Sequence, residues 1–106
     1  MKITKNIDGE ALRISLEGNL DEITSPAAEI EINNSLDNGI RKVIFDLSGV
    51  NYISSIGIRL LIVVHKDAIK HGRSALIEKM SPKAKEILEV VGILPLFEEK
   101  ESQPHA

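Results

Sequence analysis

Two adjacent hydroxyls, Ser54 and Ser55, stand at the start of an apolar helical pattern. The run from Asp46 to Leu61 reads Asp-Leu-Ser-Gly-Val-Asn-Tyr-Ile-Ser-Ser-Ile-Gly-Ile-Arg-Leu-Leu, a strand leading through a loop into a helix N-terminus. Such a terminus carries unpaired N–H groups and about half a positive charge, so it stabilises an anion placed against it. A serine there can simply cap the helix, which is its commoner use. It can also accept a phosphoryl group from a kinase, because an added charge of about −1.5 to −2 is tolerated at that spot. Hydrolase chemistry is poorly supported: a nucleophilic serine needs a base within hydrogen-bond reach, and no nucleophile elbow is present. Gly49 and Gly57 form no phosphate-cradling pattern. His65 and His71 are six residues apart, on different helix faces, and have no carboxylate at ligand spacing. His65 lies on an apolar stripe and reads as a packed core residue, while His105 belongs to a polar tail. Glu98-Glu99 reads as a solvated charge run. No metal, no cofactor and no enzymatic activity are expected.

The elements that must position these serines follow from pattern and punctuation. The chain has 106 residues, a net charge of −3, 42% apolar residues and no cysteine, which fits one domain with a single core and excludes a disulfide framework or a thiolate metal site. Mild acidity, one Tyr, two Phe and no Trp leave little grip on phosphate backbones or bases, so no nucleic-acid partner is expected. The N-terminus lacks a signal-peptide h-region. The longest apolar run, Leu60 to Val64, is far below the roughly 20 residues that span a bilayer. A cytoplasmic protein without membrane insertion is expected.

Lys2 to Asn6 and Ala11 to Glu17 alternate about an Asp8-Gly9 pair, a hairpin signal. Lys42 to Leu47 and Ser74 to Glu78 read as buried strands. Ser25 as N-cap with Pro26 opens a helix closed by Asn38-Gly39; Glu29 to Asn33 also alternates with period two, but the caps favour helix. Ser55 to about Lys70 is a helix with a predicted buried stripe of Ile58, Leu61, Ile62, His65 and Ile69. Ser81-Pro82 starts a third helix, with Ala84, Ile87, Leu88 and Val91 inward, and Gly92 stops it. The order ββαβαβα predicts an α/β fold, a mixed four- to five-stranded sheet with helices packed against it and right-handed crossovers. The domain is expected over residues 1–100, with a flexible tail over 101–106.

These blocks resemble the STAS family, named after sulfate transporters and anti-sigma factor antagonists. Asp46-Leu47-Ser48 followed by Ser54-Ser55-Ile56-Gly57-Ile58 is similar to the family's strand end, serine pair and helix start. Gly18-Asn19-Leu20-Asp21-Glu22-Ile23-Thr24-Ser25-Pro26 resembles its Gly-x-Leu-Asp-x-x-Thr-Ala-Pro entry to the first helix, and Val91 to Phe97 its closing segment. The ordered set spans roughly Lys2 to Glu99. Two positions depart from the pattern: Ser54 replaces the family's Asp, and Ile56 stands where antagonists carry the phosphorylated Ser or Thr. Isoleucine cannot accept phosphate. Either the acceptor moves to a neighbour, Ser55 first and Ser54 second, or this member is not switched in this way.

The resemblance implies an anti-sigma factor antagonist that binds an anti-sigma factor acting as a serine protein kinase. Phosphorylation would switch it off and a phosphatase of the PP2C type would restore it. Asp21, Thr24, Ser54, Ser55, Ile56, Gly57 and Arg59 are the expected partner-binding residues. Asp21 or Thr24 can equally be a loop or cap residue, and Arg59 a plain solvated arginine. Weak homodimerisation is compatible with this reading. The alternative is a STAS accessory subunit of a membrane lipid transporter or sensory complex.

Overall fold

Asp8-Gly9 turns the chain back on itself, and the rest of the sheet grows from that hairpin. The computed structural model describes residues 1–97. The expected domain end at residue 100, the tail, Glu98-Glu99 and His105 lie outside the described residues. Strand β1 (Lys2–Asp8) pairs antiparallel with β2 (Ala11–Leu20), Asp8 opposite Ala11. Gly9 takes φ 66°, the left-handed conformation that a tight hairpin needs and that glycine adopts at least cost. Then follow α1 (Ser25–Ser35), β3 (Lys42–Ile53), α2 (Ser55–Lys70), β4 (Ser74–Met80) and α3 (Pro82–Val91). The sheet has four strands in the order β1-β2-β3-β4, with β2, β3 and β4 mutually parallel. The predicted order ββαβαβα is observed, with the sheet at the lower of the two predicted strand counts.

One face of the sheet carries the core. Leu12, Val43 and Ala75 form one cross-strand row and Ile14, Phe45 and Ile77 the next, all buried. Ala28 and Ile32 of α1, Leu60, Leu61, Val64 and Ala68 of α2, and Ala84 and Leu88 of α3 pack onto the same cluster. Beyond α3, Phe97 meets Phe45 edge-on at 6.4 Å and His65 at 5.3 Å, so His65 packs on an aromatic ring but at the half-buried edge of the core rather than inside it. Lys5 also projects to the helix side, where its Nζ lies 2.8 Å from Glu31 of α1. On the opposite face an Arg13–Glu78 ion pair flanks Ile44, which is buried outside the main cluster.

Several boundaries and faces differ from the sequence reading; β1, β2 and β4 each run two or three residues further than expected, to Asp8, Leu20 and Met80. β3 does not stop at Leu47 but runs to Ile53. Between the pairs Ser15–Asp46 and Glu17–Gly49, and again between Gly18–Val50 and Asn19–Tyr52, β3 holds one residue more than β2. The first bulge puts Val50 out of phase with Val43, Phe45 and Leu47, the second returns Ile53 to their phase, and the broken alternation looks like a loop. In α2 the buried face is Gly57, Leu60, Leu61, Val64 and Ala68; Ile58, Ile62 and His65 are only half-buried and Ile69 is 51% exposed. Apolar residues cover most of this helix, so periodicity leaves its phase open, and the small Gly57 and Ala68 turn inward where the helix comes closest. In α3, Ala84 and Leu88 are buried, whereas Ile87 is half-buried and Val91 exposed.

The first helix is shorter than predicted and differently capped. Thr24, not Ser25, is its N-cap, and it ends at Ser35 rather than Asn38-Gly39. Leu36 is extended and half-buried, and Asp37 closes a turn by accepting from Gly39 N at 2.8 Å. Arg73 holds that turn, donating from Nε to the Ile40 carbonyl and from Nη2 to the Asp37 carbonyl. At the other caps the reading holds. Ser81 Oγ accepts from Ala84 N at 3.0 Å and donates to the Val50 carbonyl at 2.7 Å, while Gly92 ends α3 at φ 75°.

Candidate functional site

Residues 20 to 25 and 53 to 59 meet where β2 and β3 deliver the chain into α1 and α2. Leu20 and Ile53 are paired at the ends of these strands. Ser54 N donates to the Leu20 carbonyl at 2.9 Å, tying the start of α2 to the residue before Asp21. The contact tightens at Gly57, where a Cβ would sit 2.4 Å from the Leu20 carbonyl oxygen and 2.9 Å from Ile53 Cγ2. No other residue type lets the two segments approach so closely. In open α/β sheets the carboxyl ends of parallel strands are the usual place for binding loops, and this site lies there.

The two serines are not equivalent. Ser54 is the N-cap: its backbone is extended, its Oγ accepts from Gly57 N at 3.3 Å, and the residue is half-buried. Ser55 occupies the first helical position and is exposed. Ile56 is 40% exposed beside it, and Ile23, at the tip of the β2–α1 loop, is 79% exposed. The first turn of α2 contains no acidic residue, so its partial positive charge is not offset within the helix. Arg59 is exposed one turn further on. Together with Ser25, Pro26, Glu29 and Ile56 it lines a groove of about 220 Å³ between α1 and α2.

Asp21 and Thr24 lock the loop that faces Ser55's end of α2. Asp21 Oδ1 accepts from Ile23 N and Thr24 N, both at 3.0 Å. Thr24 Oγ1 receives Asp21 N at 3.0 Å and donates to the Asn19 carbonyl at 2.7 Å. The Thr24 N–H, with smaller help from Ile23 N–H and the Thr24 hydroxyl, holds the Asp21 carboxyl below its ordinary value against a weaker desolvation effect. Asp46, at the other predicted motif, is likewise lowered, first by the Ser48 hydroxyl at 2.7 Å and then by the Ser48 N–H at 3.0 Å. Of the two uses weighed for Asp21 and Thr24, the geometry displays the turn-forming one.

All seven expected site residues therefore gather at one end of the sheet, with Gly57 buried beneath the others. Two members of this region escaped the sequence reading. Ile23 is not among the expected site residues, and the available signal is an isolated isoleucine between Glu22 and Thr24, off any period. Ser25 is 3% exposed and its Oγ has no hydrogen-bond partner. Contrary to the sequence reading, His71 does have a carboxylate one helical turn away, Asp67 Oδ1 at 3.5 Å, but among the described residues no group of three His, Asp or Glu suits a metal ion, and no helix is long and apolar enough to cross a membrane.

The family model described as the STAS domain matches residues 2–104. The chain belongs to the STAS domain family. This STAS domain is 32% identical over 98 residues to BtrV of Bordetella bronchiseptica, a protein named as a candidate anti-sigma factor antagonist; the match covers 92% of this chain and 84% of BtrV. The fold is also that of the anti-sigma factor antagonist SpoIIAA. Its unphosphorylated form superposes with a TM-score of 0.78 at 16% identity, covering 93% of this STAS domain and 91% of SpoIIAA. The phosphorylated form of SpoIIAA, a Bacillus cell fate determinant, gives 0.72 at 16% identity, covering 93% and 95%.

Proposed function

We propose that this STAS domain is an anti-sigma factor antagonist, a regulated binding protein with no catalysis of its own, working in the cytoplasm. Its partner is an anti-sigma factor that is also a serine kinase. The partner docks on the patch made by Ile23, Ile56, Arg59 and the serine pair, with the Asp21–Thr24 loop as its rigid rim. The observation that carries this reading is the exposure of Ser55 on an α2 terminus that has no acid in its first turn.

Ser55 is the phosphate acceptor in this account, and Ser54 is not. Ser54 is half-buried with its Oγ engaged by Gly57 N and so is less open to a kinase, whereas Ser55 is exposed and a phosphate on it meets solvent and the positive end of the helix. Bound to its partner, the same phosphate must shed water inside the interface. A penalty of about 3 kcal/mol weakens binding by about a hundredfold, enough to dissociate a complex of micromolar to nanomolar affinity. The charge acts as an off state without refolding, and a phosphatase of the PP2C type restores binding. The names of BtrV and SpoIIAA, and the existence of SpoIIAA in a phosphorylated form, support the reading.

Incubation with the cognate kinase and ATP is expected to add one phosphate to the wild-type protein and to Ser54→Ala, and none to Ser55→Ala. A wild-type protein of unchanged mass, or label retained in Ser55→Ala, would refute the assignment.

A further inference from the structure

Arg59 stands four residues after Ser55 in α2, on the same helix face, where side chains i and i+4 are about 5–6 Å apart at Cβ. Long side chains in helices lean toward the N-terminus and cover the turn before their own Cα, which for Arg59 is the turn carrying Ser55. Its guanidinium is uncommitted. Arg13 is paired with Glu78 and Arg73 is bound to two carbonyls, whereas Arg59 takes part in none of the ion pairs among the described residues. Glu29 faces it across the α1–α2 groove without forming such a pair.

We propose that Arg59 is the residue that holds the phosphate once Ser55 is modified, through an intrahelical Ser55-phosphate–Arg59 bridge, and so is withdrawn from the docking patch by the modification. The inference rests on the reading of Ser55 as the acceptor. Its chemistry is general. A guanidinium presents a planar fork of N–H donors that matches two phosphate oxygens, and the doubly charged phosphate competes for it far better than the single carboxylate of Glu29 across the groove. The bridge is local, because both residues are on one rigid helix whose N-terminal N–H groups already favour the anion. The modification therefore changes the patch twice: it adds a dianion and it occupies Arg59, the arginine that the docking patch offers to an acidic group on its partner.

The test uses the full chain with phosphoserine genetically encoded at position 55, alone and together with Arg59→Gln or Arg59→Lys, titrated by phosphorus NMR. A free phosphoserine loses its second proton near pH ~6, and a guanidinium partner lowers that midpoint. The protein with Arg59 is expected to titrate roughly half a unit lower than the Arg59→Gln form, with Arg59→Lys between them and the gap narrowing in about 1 M salt. In parallel, Arg59→Gln is expected to leave the melting temperature of the unmodified protein unchanged and to lower that of the phosphorylated one. Coincident titration midpoints in the Arg59 and Arg59→Gln proteins would overturn the proposal. Failure of a kinase to label Ser55 would refute the acceptor assignment instead, and leaves this titration intact because the phosphate is encoded.

Discussion

Ser25 is the residue whose position is hardest to justify by stability alone. It is the first residue of α1, where the family pattern has alanine, and its Oγ is buried without a partner. An unsatisfied buried polar atom costs about 1–3 kcal/mol, while the alanine that replaces it loses nothing in packing depth. Ser25→Ala is therefore expected to raise stability by about 1 kcal/mol in urea unfolding, and a loss of stability would show that the hydroxyl has a partner in solution. The two lowered carboxylates make a prediction about acid. Asp21 and Asp46 both titrate below their ordinary value when folded, so the stability they contribute is fully present above about pH 4 and is lost as pH falls through the folded value. Melting temperature should be flat with respect to these groups near neutrality and drop below pH ~4. Asp21→Asn and Asp46→Asn should each shallow that drop, and an unchanged acid limb in both variants would contradict the assignment.

At the scale of elements, the caps and close approaches fix how α2 and α3 sit on the sheet. Ser81 both caps α3 and satisfies the Val50 carbonyl in the bulged part of β3, so Ser81→Ala should cost about 1–2 kcal/mol, read by denaturant midpoint. Gly57→Ala forces a methyl group into the Leu20 carbonyl and should cost about 1–3 kcal/mol, more than helix propensity returns. A stabilised Gly57→Ala protein would mean that α2 can step back from β2, and the site with it. These elements were unequally legible in the sequence. Asp8-Gly9, Ser81-Pro82 and Gly92 announce themselves because each is a local turn or cap demanding a particular residue type. The second half of β3 does not, since its bulges reset the side-chain phase and only pairing with β2 reveals it as strand. The phase of α2 was hidden for the opposite reason: too many apolar residues, with the inward face chosen by the tight fit at Gly57. The site itself was visible as Ser54-Ser55 and the Asp21 loop, but which serine is the cap and which is displayed depends on a hydrogen bond to Gly57 N that spacing alone leaves undecided.

For the whole molecule, topology explains why the site forms at all. Because β2, β3 and β4 are parallel, each helix that follows one of them begins at the same end of the sheet, and the α1 and α2 entries come together there. A phosphate at that end touches loop and helix-start residues while the core rows from Leu12 to Ala75 and from Ile14 to Ile77 lie elsewhere. Amide chemical shifts on phosphorylation should accordingly change over residues 19–25 and 54–60 and remain fixed in β1 and β4; changes across the outer strands would indicate a refolding switch. The proposed switch is tested most directly by calorimetric titration of the proposed partner, an anti-sigma factor with kinase activity, with the unmodified chain and with the chain carrying encoded phosphoserine at position 55. The unmodified chain is expected to bind about a hundredfold more tightly. Equal affinities, or binding of neither form, would contradict it.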